Sequence, residues 1–452
     1  MIHMSKILMA TTLFSTITLT AQATSMQEAV ASALSSHPQV KVSQKNMEAI
    51  GHAQRVAEGG FYPTVDLTAG TGWEHSNNST TRNREGRFAD DDGHRDLWRN
   101  ESRLLVRQML YDGWGTSSEV AEQGHRKTSA KFNVLENKEV TALAALEAYL
   151  NVMRTRELVA LGRQNVETHE MYLNQISARV DGGRGTRADR SQAEGRLALA
   201  KANLIAFEGE LRSAEADYLE VIGNMPNQLH KSDVPFGALP GSLETALTRA
   251  MENNPAIDSA QYDIKAADAA IHVAESTFCP RFDLEGNISR NVNLDGTPGT
   301  NNDASVMLMM RYNLYNGGSD TARVKERVSR KEEAKAELEQ SRRSVEENTM
   351  VAWSDLQTSR QRLSELNNHV TSTMETRQAY RSQFDLGKRT LLDLLDNEVE
   401  LFNARTALIN GKYGVDLAAY NLLASTGDLV DTVSGVQTAQ EIRTDNVRVA
   451  GK

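Results

Sequence analysis

Apolar residues along this chain keep two different rhythms, and each predicts its own kind of element. Between 117 and about 180 they recur at helical spacing, at Val134, Leu135, Val140, Leu143, Leu146, Leu150, Met153, Leu158 and Leu161, with Glu, Lys and Arg between them. The run from 320 to 385 has the same texture. At ~1.5 Å per residue each predicts a helix on the order of 100 Å long, longer than a globular domain is wide. Such a helix has to pack along its length against others, in coiled-coil fashion. Each run closes on a glycine-bearing turn, with Gly182, Gly183 and Gly185 in the first and Gly387 in the second. Glycine there suits a helix C-cap and chain reversal. Shorter returning helices are expected from about 186 to 222 and from 391 to 425.

The second rhythm is alternation. It runs over 63–73 (Val65, Leu67, Ala69, Thr71, Trp73) and 280–288 (Phe282, Leu284, Gly286, Ile288), each opening at a proline, which a strand tolerates as its first residue. The expected partners are 102–111 and 304–315, the latter with Val306, Leu308, Met310, Tyr312 and Leu314 on one face. Strands of ~9 to 11 residues with lipid on one face and water on the other match a transmembrane barrel. Tyr62, Trp73, Trp98, Tyr111, Trp114, Tyr312 and Tyr315 cluster near the strand ends. An interfacial belt explains that placement, since Trp and Tyr favour the headgroup level. Aromatics capping a small soluble sheet are the competing reading.

The two rhythms occur twice in the same order. Pro38, Phe61, Pro63, Asp66 and Leu67 recur as Pro255, Phe278, Pro280, Asp283 and Leu284 at a constant offset of 217; Leu110, Tyr111, Gly113, Asp189 and Glu194 recur as Leu314, Tyr315, Gly317, Asp393 and Glu398 at an offset of 204. The length change falls in the polar loop of the first strand pair, where a surface loop absorbs it. The expected organisation is helices at 24–62 and 242–279, strand hairpins at 63–112 and 280–316, and long helical hairpins at 113–224 and 317–426. A proline-containing link at 225–241 joins the copies, and 427–452 is a polar tail.

Composition narrows the function. Aromatic content is 6%, and the eight prolines leave 64–225 and 299–452 uninterrupted, which permits long helices there. Lys6, an apolar Thr-rich stretch and Ala21-Gln22-Ala23 read as a signal peptide over 1–23. The net charge of −10 argues against a nucleic-acid partner. The lone Cys279 cannot form an intramolecular disulfide and reads as a small residue at a helix-to-strand junction. The ten histidines show no close pair at metal-ligand spacing, so neither a metal site nor a cofactor is expected. No nucleophile-elbow pattern is present, and no enzyme is expected.

Four strands cannot close a membrane barrel by themselves; two chains would supply eight and three would supply twelve, and only the larger count leaves room for an aqueous lumen. The chain resembles the TolC family of outer-membrane channel proteins. The resemblance rests on a duplicated Ala-rich helix ending in proline, Tyr62-Pro63 and Cys279-Pro280 at the strand entries, Leu-Tyr-Asp-Gly at 110–113 and Leu-Tyr-Asn-Gly at 314–317, and Gly-Lys-Arg-Thr-Leu-Leu-Asp-Leu-Leu-Asp-Asn-Glu at 387–398. It implies a mainly α fold with a membrane β-barrel portion: a homotrimer whose twelve-stranded barrel, embedded in outer-membrane lipid, continues into a periplasmic helical tunnel. It implies docking onto an inner-membrane transporter through a periplasmic adaptor. The segments 387–398 and 185–189 are most similar to the type I secretion branch, which an ABC transporter serves. A drug or metal efflux duct with a proton-driven pump is the alternative, and a non-pore periplasmic coiled-coil scaffold a second.

Asp393 and Asp396 lie three apart at the start of a returning helix, so they share one side. In a trimer they would form two rings of carboxylates that raise one another's pKa; the resemblance places them at the periplasmic entrance. Acids at a helix N-terminus also suit the macrodipole without any further role. Arg389 and Asp189 stand where the resembled family links neighbouring coiled coils and holds the entrance shut. Phe384 stands where a tyrosine hydroxyl would add a link, and Ala188 where a threonine would. An ordinary surface ion pair is the competing account. Asp396 is opposed in the first copy by Gln192 and Arg389 by Gly185, so the acidic ring belongs to the second copy alone.

Overall fold

The structure, a computed structural model, describes residues 24–82, 94–230, 234–386 and 388–434; the signal peptide expected over 1–23 and Gly387 lie outside them. In each copy a short helix meets a longer one at a proline: α1 (Met26–Ser36) meets α2 (Pro38–Glu58). The element order then runs through β1 (Thr64–Ser76), a short α3 (Ser79–Arg82), β2 (Arg95–Tyr111), α4 (Gly115–Asp181) and α5 (Arg187–Ile222). The second copy has α6 (Leu243–Asn253), α7 (Pro255–Glu275), β3 (Arg281–Val292), β4 (Thr300–Arg311), α8 (Ser319–Asp385) and α9 (Leu391–Thr426). Pro38 and Pro255 open α2 and α7 instead of ending the helices before them. Proline lacks an amide that the first turn leaves unpaired anyway.

Both long helices are 67 residues and both returning helices 36, so the repeat is held residue for residue. Their starts carry the same chemistry. Thr186 accepts from the Asp189 amide while the Asp189 carboxylate accepts from the Thr186 amide; Thr390 and Asp393 repeat that reciprocal cap. Gly223 and Gly427, at φ 87° and 74°, end the returning helices in the left-handed conformation that glycine adopts without penalty.

The four strands make one antiparallel sheet in the order β1-β2-β3-β4, with β1 and β4 as open edges. The strands differ from the alternation limits in instructive ways. β2 begins at Arg95, because its polar upper half pairs with β1 up to Ser76. β4 stops at Arg311, so Tyr312, Leu314 and Tyr315 lie beyond the sheet in the turn toward α8. At this same end of the sheet, α2, α4, α7 and α8 pack side by side, with α5 returning along α4 and α9 along α8.

The main core sits midway along the long helices. Tyr149, Tyr218, Tyr413 and Tyr420 are buried there among Leu146, Leu356, Leu422 and Leu423. The Tyr149 hydroxyl donates to the carbonyls of Thr24 and His230 at 2.9 and 2.6 Å, which fixes the start of the described chain and the link between copies. The expected polar tail needs correction at its root. Residues 429–434 form α10 (Leu429–Ser434), with Leu429 and Val430 in the core. Its first amides donate to the buried Glu139 carboxyl. Residues 435–452 lie outside the described ones.

Candidate functional site

Two regions bear on function: the strand wall and the tips of the helical hairpins. On one face of the wall, the register brings Val65, Val106, Gly286 and Val306 into one row and Leu67, Leu104, Ile288 and Ala304 into the next. Leu67 is 75% exposed and Val306 77% exposed in the single chain, a degree of apolar exposure that marks a surface destined for lipid or a partner. Trp73 pairs directly with Trp98 near the far end, while Tyr62, Tyr111, Trp114, Tyr312 and Tyr315 gather at the helix-proximal end. From Val65 to Trp73 the strand spans about 27 Å at ~3.4 Å per residue, close to the ~25 Å apolar band of outer-membrane barrels. All seven aromatics expected at the interfaces thus fall at the two ends of the apolar band.

The opposite face is charged and internally paired. Asp283, fully buried, accepts from Arg281 at 3.0 Å and from Arg311 at 2.6 Å. Glu285 accepts from Arg107 at 2.9 Å and Arg311 at 2.5 Å. Higher up, Arg99 joins Glu74, Glu101 and Asp295. Such a face suits water, so the wall has an apolar side and a charged side.

At the hairpin tips, the expected residues other than Gly387 lie near the turns. Gly182 is the C-cap of α4 and Gly183 follows it at φ 72°, while Gly185 packs against Val180. Asp189 and Asp393 are both engaged in capping their own helices. Hydrogen bonds from Thr186 and Thr390 hold the two carboxyls below the usual range; within one protomer Asp393 therefore shows the opposite direction from the ring expectation. Arg389 lies over the Tyr380 ring at 4.1 Å, donates to Gln383 at 3.0 Å and reaches Asp393 at 3.6 Å. The expected Arg389–Asp189 contact is thus replaced, inside one chain, by contacts each residue makes within its own hairpin. Asp396 pairs with Arg196 of the first hairpin at 2.5 Å. Phe384 is buried against Tyr172, Ile176, Leu394 and Leu395, with the Arg179 guanidinium 4.3 Å from its ring centre.

Sequence reasoning missed a buried carboxylate here. Glu398, 6% exposed, accepts from the Tyr172 hydroxyl at 3.0 Å and from Arg377 Nε at 2.6 Å. Burial, then the Glu398 charge, pushes the Tyr172 hydroxyl up to about 12. Its repeat counterpart Glu194 is exposed. No local pattern separates the two glutamates, since the difference arises from how the hairpins lie together. Among the described residues no group of three or more His, Cys, Asp or Glu side chains is placed to hold a metal ion, and no helix is long and apolar enough to cross a membrane.

Comparison with known proteins places this geometry. A sequence profile described as "Outer membrane efflux protein" matches residues 29–224 and 246–428, taking in both copies of the repeat. The outer membrane efflux protein BepC of Brucella suis biovar 1 (strain 1330) is 28% identical over 338 residues, covering 75% of this chain and 74% of that protein. The proteases secretion protein PrtF of Dickeya chrysanthemi is 22% identical over 450 residues, covering 95% of each. Among solved structures, the Campylobacter jejuni CmeC outer membrane channel shares the fold, with a TM-score of 0.78 at 14% identity over 93% of this chain and 88% of that one. A non-pore periplasmic scaffold is set aside by these matches. With one apolar and one charged face on the sheet and a family profile spanning both copies, the chain belongs to the outer membrane efflux protein family, the TolC-like efflux and secretion channels of the outer membrane.

Proposed function

We propose that three copies of the chain close their sheets into a twelve-stranded barrel, continued by the long helices as a periplasmic tunnel. The assembly is the exit duct of a tripartite export system serving type I protein secretion, engaged at its hairpin tips by a periplasmic adaptor and an inner-membrane ABC transporter. The sheet carries this reading: β1 and β4 are open edges, one face is apolar between two aromatic groups and the other is a charged wall. In lipid, unpaired strand edges are too costly to persist, so the sheet has to close. Conduction needs no catalytic step and no cofactor. In the trimer the three Asp393 and three Asp396 side chains surround the entrance, with Arg389 and Asp189 beside them.

Type I secretion is supported by the similarity to PrtF along 95% of each chain and by the wording of 387–398. The similarity to BepC, named for efflux, supports a second reading as a drug efflux duct. Deleting the gene and comparing the secreted proteome with drug susceptibility separates them. Loss of one large exported protein at unchanged drug tolerance is the expected result. Hypersensitivity with an intact secreted proteome would favour efflux instead.

A further inference from the structure

We infer that Arg290, with Ser102 and Asn302 beside it, binds a phosphate group of an outer-leaflet lipid on the apolar face of the sheet. The inference rests on the duct reading above, which turns this face toward lipid and the strand loops outward, and it adds a lipid headgroup that the wall would hold. The register sets Ala69, Ser102, Arg290 and Asn302 in the row that follows Leu67, Leu104, Ile288 and Ala304. Further along β1 and β2 come the Trp73 and Trp98 pair and then His75, which pairs with Asp96 at 2.7 Å. Among the described residues, Arg290 is thus the one charged side chain that the register places on this face between the helix-proximal end and those tryptophans. It is exposed, and no acidic side chain among the described residues pairs with it. On the opposite face Arg99, Arg107, Arg281 and Arg311 each reach a carboxylate, so an arginine left without one sets this face apart.

Depth and chemistry together select the occupant. Arg290 takes in β3 the place that Trp73 holds in β1: the two are separated by the repeat offset of 217, as are Phe282 and Val65 at the opposite end of the band. Phe282 to Arg290 therefore spans the same ~27 Å of strand as Val65 to Trp73, and Arg290 stands level with an interfacial tryptophan. An arginine at mid-bilayer is expensive, whereas one at the edge of the apolar band extends its long side chain to the headgroups. The guanidinium then lies where lipid phosphates lie, and its planar fork matches two phosphate oxygens. The Ser102 hydroxyl and the Asn302 amide, directly across from it on β2 and β4 and both exposed, supply neutral donors. No carboxylate stands beside them on this face to repel an anion, since the next row holds Thr71, Asn100, Val292 and Thr300. All three binding residues belong to one protomer, so the site is complete without a neighbour.

Native mass spectrometry of the detergent-extracted protein, titrated with lipid A carrying its phosphates and with the same lipid dephosphorylated, tests this. The parent protein is expected to retain the phosphorylated lipid about tenfold more tightly, the scale of one charged hydrogen-bonded pair. Arg290→Gln should lose that preference with the mass of the protein complex unchanged, because Arg290 pairs with no described side chain. Arg290→Lys keeps the charge without the fork and should retain part of the preference. Excess inorganic phosphate should leave the lipid in place. Equal retention of the two lipids by the parent protein, or a preference that survives Arg290→Gln, would overturn the headgroup site alone. Displacement by inorganic phosphate would overturn it too, by showing a site for free anions. A parent protein recovered in the aqueous fraction without detergent would overturn the duct reading and the headgroup site together.

Discussion

Gly113 shows how much a single atom decides at the junction of wall and helix. It sits at φ 68°, and a Cβ built there would lie 2.4 Å from the Cβ of Cys279. Gly113→Ala therefore combines a left-handed backbone penalty of ~1–3 kcal/mol with a collision. Gly317, its repeat counterpart at φ 60°, has nothing within 4 Å, so Gly317→Ala carries the backbone penalty alone. Thermal dissociation of the detergent-extracted assembly should show the larger loss for Gly113→Ala; equal losses would mean the contact with Cys279 does not matter. The smallness of Cys279 was legible in the sequence as a residue at a helix-to-strand junction. Its partner was not, because Gly113 lies far away along the chain. Asp393 divides in the same way. Acids at a helix start are readable from position, whereas the pairing of Asp396 with Arg196 depends on two hairpins lying side by side.

Elements built on period and punctuation were the most readable. The 67-residue helices, their glycine turns and the paired strands follow from apolar spacing, proline placement and the duplication. The short α10 was not readable, since a six-residue helix among polar residues carries no usable period. It forms because Glu139 receives the Leu429 and Val430 amides at 3.2 and 3.1 Å. Burial outweighs those two bonds, and with the nearby Asp431 and Asp428 charges it raises the Glu139 pKa to about 8 from 4.5. A carboxyl raised on folding contributes its full stability below about pH 4.5 and loses it as pH climbs through about 8. Docking of α10 should therefore loosen between those values. Protease cleavage at the C-terminal side of α9 should become faster across that window, and Glu139→Gln should remove most of the pH dependence. A cleavage rate flat with pH in the parent protein would show that Glu139 does not govern the docking.

The duplication organises the whole molecule, yet its copies part near the hairpin tips. Offsets of 217 and 204 reproduce every major element, giving two strand pairs and two helical hairpins per chain. Against that symmetry, Glu398 is buried beneath Tyr172 while Glu194 faces solvent, and Asp396 has Gln192 for a counterpart. The sequence could show such substitutions but not their burial, which depends on packing between segments more than two hundred residues apart. All of this requires that the open-edged sheet close with other copies of itself. Native mass spectrometry of the protein extracted in detergent from outer membranes tests that requirement most directly. Three chains per complex is the expected mass, with no smaller species until the detergent denatures the barrel. Recovery as a monomer or a dimer would contradict a twelve-stranded barrel.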